Sequence, residues 1–173
     1  MACRTMIYRC LLLFVILFPV AGCRLSVSLT GSDIDARAKT VYIQTFRNNA
    51  TLVNPTLSQE FTNALKDRVQ SQTPLSIIDT QNGDYSIEGE ITGYSINPVA
   101  IQGNETAAMN RLTITVNVRF TNKFDEKKNF EQTFSRYIDY NSSQNFTAIE
   151  SSLVNEINDA LTEDIFNKAF VNW

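Results

Sequence analysis

Cys23 is the residue with the most definite chemistry in this chain. It follows Val20-Ala21-Gly22, small residues of the kind a signal peptidase accepts, and its thiol stands where diacylglycerol would be attached. Ahead of it, Arg4 and Arg9 form a short basic region, Cys10 to Phe18 is apolar, and Pro19 breaks the run. That run is well short of the roughly 20 residues a spanning helix needs. The expected reading is a cleaved lipoprotein signal peptide over 1–22 and a single domain over 23–173, lipid-anchored at Cys23. Cys3 and Cys10 leave with the signal, so the mature chain keeps one cysteine, consumed by lipid, and no disulfide can form.

The rest of the composition excludes more than it suggests. The chain contains 0 histidines, so zinc, haem and iron–sulfur ligand sets, and Ser-His-Asp or Cys-His catalysis, cannot be assembled. Carboxylate-only chemistry survives on composition alone. Its one candidate pair is Glu88 and Glu90, two residues apart on a predicted strand; such a pair is also what the solvated side of a strand looks like. No glycine-rich phosphate loop occurs. No cofactor, no metal site and no catalytic residue is assigned, and the expectation is a protein that is not an enzyme. The whole chain has 15 Lys+Arg against 18 Asp+Glu; losing Arg4 and Arg9 leaves 13 against 18, a net charge of −5. That balance argues against nucleic acid as a partner.

Arginine and lysine mark the remaining candidate surface. Arg111, Thr113, Thr115, Asn117 and Arg119 alternate with Leu112, Ile114, Val116, Val118 and Phe120, so one face of this strand is wholly polar. Lys123, Lys127, Lys128 and Arg136 follow nearby in sequence. Arginine's planar fork suits phosphate and carboxylate, which points to an anion-binding sheet face or hairpin tip. The other reading is an ordinary solvated face whose charges prevent edge-to-edge pairing.

The elements that carry these residues follow from periodicity. Alternation predicts strands at 24–30, 40–46, 75–79, 85–97, 111–122 and 130–140, with a loop over 98–110 and a charged hairpin tip at 123–129. Gly89 and Gly93 inside the fourth of these suggest a bulge or strong twist. Leu57, Phe61, Leu65 and Val69 recur every fourth residue behind a capping-box spacing, Thr56 to Gln59, and Pro74 ends that helix. Ile149, Leu153, Ile157, Leu161 and Ile165 repeat the pattern behind Thr147 and Glu150. The order β-β-α-β-β-β-β-α predicts an α+β two-layer sandwich, its sheet largely antiparallel or mixed, with two helices packed on one face.

Taken in order, these segments resemble the lipopolysaccharide-assembly lipoprotein family, LptE, in a shorter and divergent branch. The likeness is carried by the Val20–Cys23 box running into a strand, Val41-Tyr42-Ile43, Asn54-Pro55-Thr56-Leu57-Ser58-Gln59-Glu60-Phe61, and Gly83-Asp84-Tyr85-Ser86-Ile87-Glu88-Gly89. It continues through Gly93-Tyr94, Asn110-Arg111-Leu112-Thr113-Ile114-Thr115-Val116 and Glu163-Asp164-Ile165-Phe166-Asn167. The resemblance implies a non-enzymatic plug and chaperone of the outer-membrane β-barrel LptD, and in some members direct lipopolysaccharide binding through basic residues. Arg111, Arg119, Arg136, Lys123, Lys127 and Lys128 are the candidate lipopolysaccharide or partner contacts here. Within the same family context, Arg24 after the anchor, in place of Asp, implies an outer-membrane location facing the periplasm or the barrel lumen. The alternative is a periplasmic lipoprotein module that activates a cell-wall synthase or belongs to a secretion channel.

Overall fold

Leu112, Ile114, Val116, Val118 and Phe120 lie at 0–1 % exposure, and this buried stripe organises the molecule. The structure, a computed structural model, describes residues 34–52, 54–99 and 108–171; the signal segment expected at 1–22, Cys23 and the strand expected at 24–30 lie outside them. By its contacts the chain divides into Met1–Thr30 and Gly31–Trp173, and everything described belongs to the second unit.

The described elements are β1 (Thr40–Ile43), β2 (Arg47–Asn48), α1 (Leu57–Gln72), β3 (Ser76–Ile78), β4 (Tyr85–Val99), β5 (Met109–Asn122), a 3₁₀ turn (Glu126–Lys128), β6 (Phe130–Asn141) and α2 (Phe146–Phe170). They build a six-stranded mixed sheet of order β3-β1-β4-β5-β6, with β2 beside β4. β1 runs parallel to both β3 and β4, whereas β4, β5 and β6 are antiparallel. The two helices cover one face, so the α+β two-layer sandwich expected from the pattern is what forms. Its letter order matches for a different reason than expected, since the second strand is the short β2 rather than the segment at 40–46.

Two strand boundaries differ. β1 stops at Ile43 because the chain leaves the sheet to bring Phe46 over it. There the Phe46 N–H donates to the Thr62 hydroxyl, Ser58 donates to the Phe46 carbonyl, and the ring meets Phe61 edge-on at 4.9 Å. The β4–β5 ladder runs beyond Asn97, through Pro98–Asn110 to Val99–Met109, so strand occupies both ends of the segment expected to be loop. The expected bulge lies between Ile91 and Gly93. It inserts Thr92 and shifts the parity, so that Tyr94 and Ile96 join Ile87 and Ile91 on the helix side.

Both helix starts also depart from the capping boxes. At α1, Thr56 makes no side-chain cap; the Asn54 side-chain oxygen, Oδ1, instead accepts from the Thr56 and Leu57 N–H groups and from the Thr56 hydroxyl. At α2, Asn145 accepts from the Thr147 N–H. Asparagine reaches the free donors of a first turn with the same short geometry, and at both helices the capping side chain lies two residues before the threonine of the box. The Asn141 amide likewise closes a turn, accepting from the Ser143 N–H and hydroxyl.

The helices are joined by Arg68, which donates to the Thr162 hydroxyl at 3.1 Å and to the Asp159 carbonyl at 3.0 Å. On the inward face of α2, Asn158 is 2 % exposed and neither polar atom of its amide has a partner. Burying an unpaired amide costs about 1–3 kcal/mol. Asn158→Leu is therefore expected to raise the thermal midpoint by several degrees; a lower midpoint in calorimetry would show that the amide is satisfied after all.

Candidate functional site

The uncovered side of the sheet is built from residues of one parity on three strands. Register places Arg111 opposite Asp139, Thr113 opposite Tyr137, Thr115 opposite Ser135, Asn117 opposite Thr133 and Arg119 opposite Glu131. On the β4 side the neighbours are Asn97, Ser95, Gly93, Glu90 and Glu88. The result is a polar surface whose groups largely satisfy one another. Arg111 makes a two-pronged pair with Asp139 at 2.7 and 2.8 Å, and its guanidinium lies 3.7 Å over the Tyr137 ring, which is 55 % exposed. Arg119 reaches Glu88 at 2.6 Å, and the Thr115 and Ser135 hydroxyls meet at 3.0 Å. Cross-strand pairs of this kind stabilise a solvated sheet and fix its register. Asp139, bonded first by Arg111, is held below the usual carboxylate range, and each arginine is raised by its acid partner.

The two carboxylates singled out by spacing do not act as a pair. Glu88 is engaged by Arg119, and Glu90 accepts from Asn49 at 2.5 Å. Both line a shallow depression of about 350 Å³ with Arg47, Asn117 and Glu131. Among the described residues no cluster of three potential metal ligands occurs.

The six candidate contacts fall in three places. Arg111 and Arg119 share the open face, but they stand eight strand positions apart, about 26 Å. Arg136 lies on the other side: it is paired with Ile114, an inward residue, and its guanidinium binds Asp164 of α2 twice at 2.6 Å. The grouping of Arg136 with Arg111 and Arg119 on one face is thus corrected, and no single phosphate could touch all three. Lys123, Lys127 and Lys128 stand at the hairpin end of the sandwich. Here Lys127 and Lys128 line a cavity of about 230 Å³ with Lys168 from the last turn of α2, a residue that sequence reasoning missed because it lies forty positions away. Arg37, also missed, stacks on Phe124 at 4.6 Å and chelates Asp35, pulling that carboxyl down to about 2.

The opposite end holds a partly buried polar cluster. Glu150, in the second turn of α2, accepts from the Tyr94 hydroxyl at 2.7 Å and from the Asn54 amide at 2.8 Å. Burial first, and the Glu150 hydrogen bond second, push the Tyr94 phenol well above its ordinary range, which keeps it a proton donor. Asn54 caps α1 with its side-chain Oδ1, so this one cluster ties the starts of both helices to β4. Its role is architectural.

A two-layer α+β domain with a polar, self-paired sheet face and a lysine-lined end is the class these surfaces define. A sequence model of the lipopolysaccharide-assembly family, LptE, matches residues 38–169, and the chain belongs to that family. The family is in general non-enzymatic. A comparison with curated proteins returned no match. Among solved structures the chain is similar to a minor lipoprotein from Acinetobacter baumannii, with 14% identity and a TM-score of 0.51 over 78% of this chain and 97% of that one. A Xanthomonas campestris protein gives 10% identity and a TM-score of 0.51 over 76% and 85%. A neuraminyllactose-binding hemagglutinin homolog from Helicobacter pylori gives 10% and 0.50 over 82% and 88%. At these identities the likeness is one of fold. Among the described residues no helix is long and apolar enough to cross a membrane.

Proposed function

We propose that this chain is an outer-membrane lipoprotein, anchored through diacylglycerol on Cys23, that assists lipopolysaccharide assembly as a plug and chaperone of an LptD-like β-barrel. The observation that carries the reading is the polar sheet face over Arg111–Arg119. The lumen of a large outer-membrane barrel is polar, and a surface of paired hydroxyls and ion pairs suits it better than an apolar face would. Family membership supplies the context of lipopolysaccharide assembly. Direct lipopolysaccharide contact would use the arginines of that face, one phosphate at each, by exchange with Asp139 or Glu88; exposed ion pairs are worth only about 0–1 kcal/mol, so such exchange is cheap.

Affinity purification of the lipidated protein from detergent-solubilised outer membrane tests the reading. The expected result is near-stoichiometric recovery of a large β-barrel. Thr115→Arg/Asn117→Arg, which crowds the open face, should lose that barrel, while Glu156→Arg on the exposed side of α2 should keep it. Cys23→Ser should leave the membrane fraction altogether. Recovery of a cell-wall synthase or a secretion component, with no barrel, overturns the proposal in favour of the alternative.

A further inference from the structure

The mature chain is acidic, yet one end of the described domain concentrates its cations. Lys127 and Lys128, from the 3₁₀ turn, and Lys168, from α2, converge on the 230 Å³ cavity; Asn129, Phe130 and Ala169–Val171 also line it, and among the described residues no carboxylate does. Lys168 Nζ stands 5.9 Å from the Phe130 ring centroid. Arg37, Lys39 and Lys123 belong to the same end, because residues 34–39 enter the sheet beside the start of β4. The Asp35 N–H donates to the Tyr85 hydroxyl, and the Lys39 and Thr40 N–H groups donate to Asp84. Among the described residues, several acids of this end are occupied: Asp35 by Arg37, Asp84 by those N–H groups and the Thr40 hydroxyl, and Asp125 by the Lys127 N–H. Lys128 also acts on Asp35.

This is also the end at which the described chain begins. Ile34 packs against the core here, eleven residues after Cys23, a contour of at most about 40 Å. We propose that the cavity of Lys127, Lys128 and Lys168 receives the phosphate headgroup of an anionic phospholipid in the leaflet that holds the anchor, orienting the domain with its hairpin end toward the membrane. The proposal rests on Cys23 as the anchor but is independent of the barrel. Acyl chains supply membrane attachment, and the lysines supply direction, because an acyl chain alone leaves a domain free to rotate. Attraction of this kind falls off within a Debye length, so only the end that faces the surface gains from it.

The mature chain without acyl groups retains the buried core of the described residues, which runs from Ala38 to Phe170, and it isolates the headgroup contribution. It should sediment at low salt with phosphatidylcholine vesicles containing phosphatidylglycerol, and not with phosphatidylcholine alone. Each lysine near an anionic surface is worth roughly fivefold, so Lys127→Gln/Lys128→Gln/Lys168→Gln should weaken binding roughly a hundredfold. Lys127→Gln/Lys168→Gln, which leaves Lys128 beside Asp35, should weaken it roughly 25-fold. Lys66→Gln, on α1 and outside the cavity, should bind nearly as the parent does. Unchanged binding in both lysine variants, or a loss in the Lys66 variant equal to that of the double lysine variant, overturns the assignment. Displacement of the parent by millimolar inorganic phosphate, at matched ionic strength, would also overturn it by reassigning the cavity to a soluble phosphate ligand.

Discussion

Gly89→Ala is expected to lower stability by about 3 kcal/mol or more, with a fall in the thermal midpoint of roughly 10 °C. A Cβ at this position would lie 2.1 Å from the Asn117 carbonyl oxygen and 2.7 Å from Phe46 Cε1. The ring could turn aside, but the carbonyl belongs to β5 and is held by the sheet ladder. The double variant Gly89→Ala/Phe46→Ala should therefore not recover the loss. Instead it should fall further, because Phe46 is fully buried and a large-to-small change there costs about 3–5 kcal/mol by itself. Denaturant unfolding of the mature domain reads both. A Gly89→Ala variant as stable as the parent would show that the β4–β5 ladder can part locally at no cost. Glycine is required here for close approach: the chain leaves β1 early, Phe46 drops onto the sheet, and the absence of a side chain at Gly89 makes room.

Glu150→Ala should cost about 2–4 kcal/mol, because it leaves the Tyr94 hydroxyl and the Asn54 amide without their acceptor. Glu150→Gln keeps an acceptor oxygen and should cost less than half as much. If Asn54 then loses its hold, the first turn of α1 frays together with the first turn of α2, so hydrogen exchange should accelerate near Leu57 and near Phe146 in the same variant. Exchange confined to α2 would mean that Asn54 caps α1 without help from Glu150. Tyr94→Phe separates the two contacts, because it removes one donor and leaves the Asn54 bond in place.

These two residues mark where sequence pattern stops being informative. Glu150 sits at the third position after Thr147, the spacing of a capping box, and a local reading assigns it to the helix end. It turns instead to Tyr94, 56 positions earlier, because the bulge at Thr92 brings Tyr94 to the helix side. Gly93 signalled that bulge in the sequence; the partner it would deliver was not visible. Arg136 is a different case. It shares parity with Phe130, Phe134 and Ile138, so alternation along β6 already placed it with the inward residues; nearness to Lys127 and Lys128 along the chain outweighed that signal. Lys168 had no local signal at all, since nothing in the last helix refers to a hairpin forty residues away.

The sequence by itself determined the two helices, the long antiparallel strands and the polar face of β5. Each is written in short-range periodicity or in a few adjacent residues: α1 buries Leu57, Phe61, Leu65 and Val69, as their spacing of four requires. Only the tertiary structure decided which charges meet. Arg111 and Arg119 are paired across strands, Arg136 is turned to α2, and Lys127, Lys128 and Lys168 are gathered at one end. The physical reason is that side-chain partners are chosen by strand register and helix crossing, and both are set by the packing of the whole core rather than by any stretch of chain.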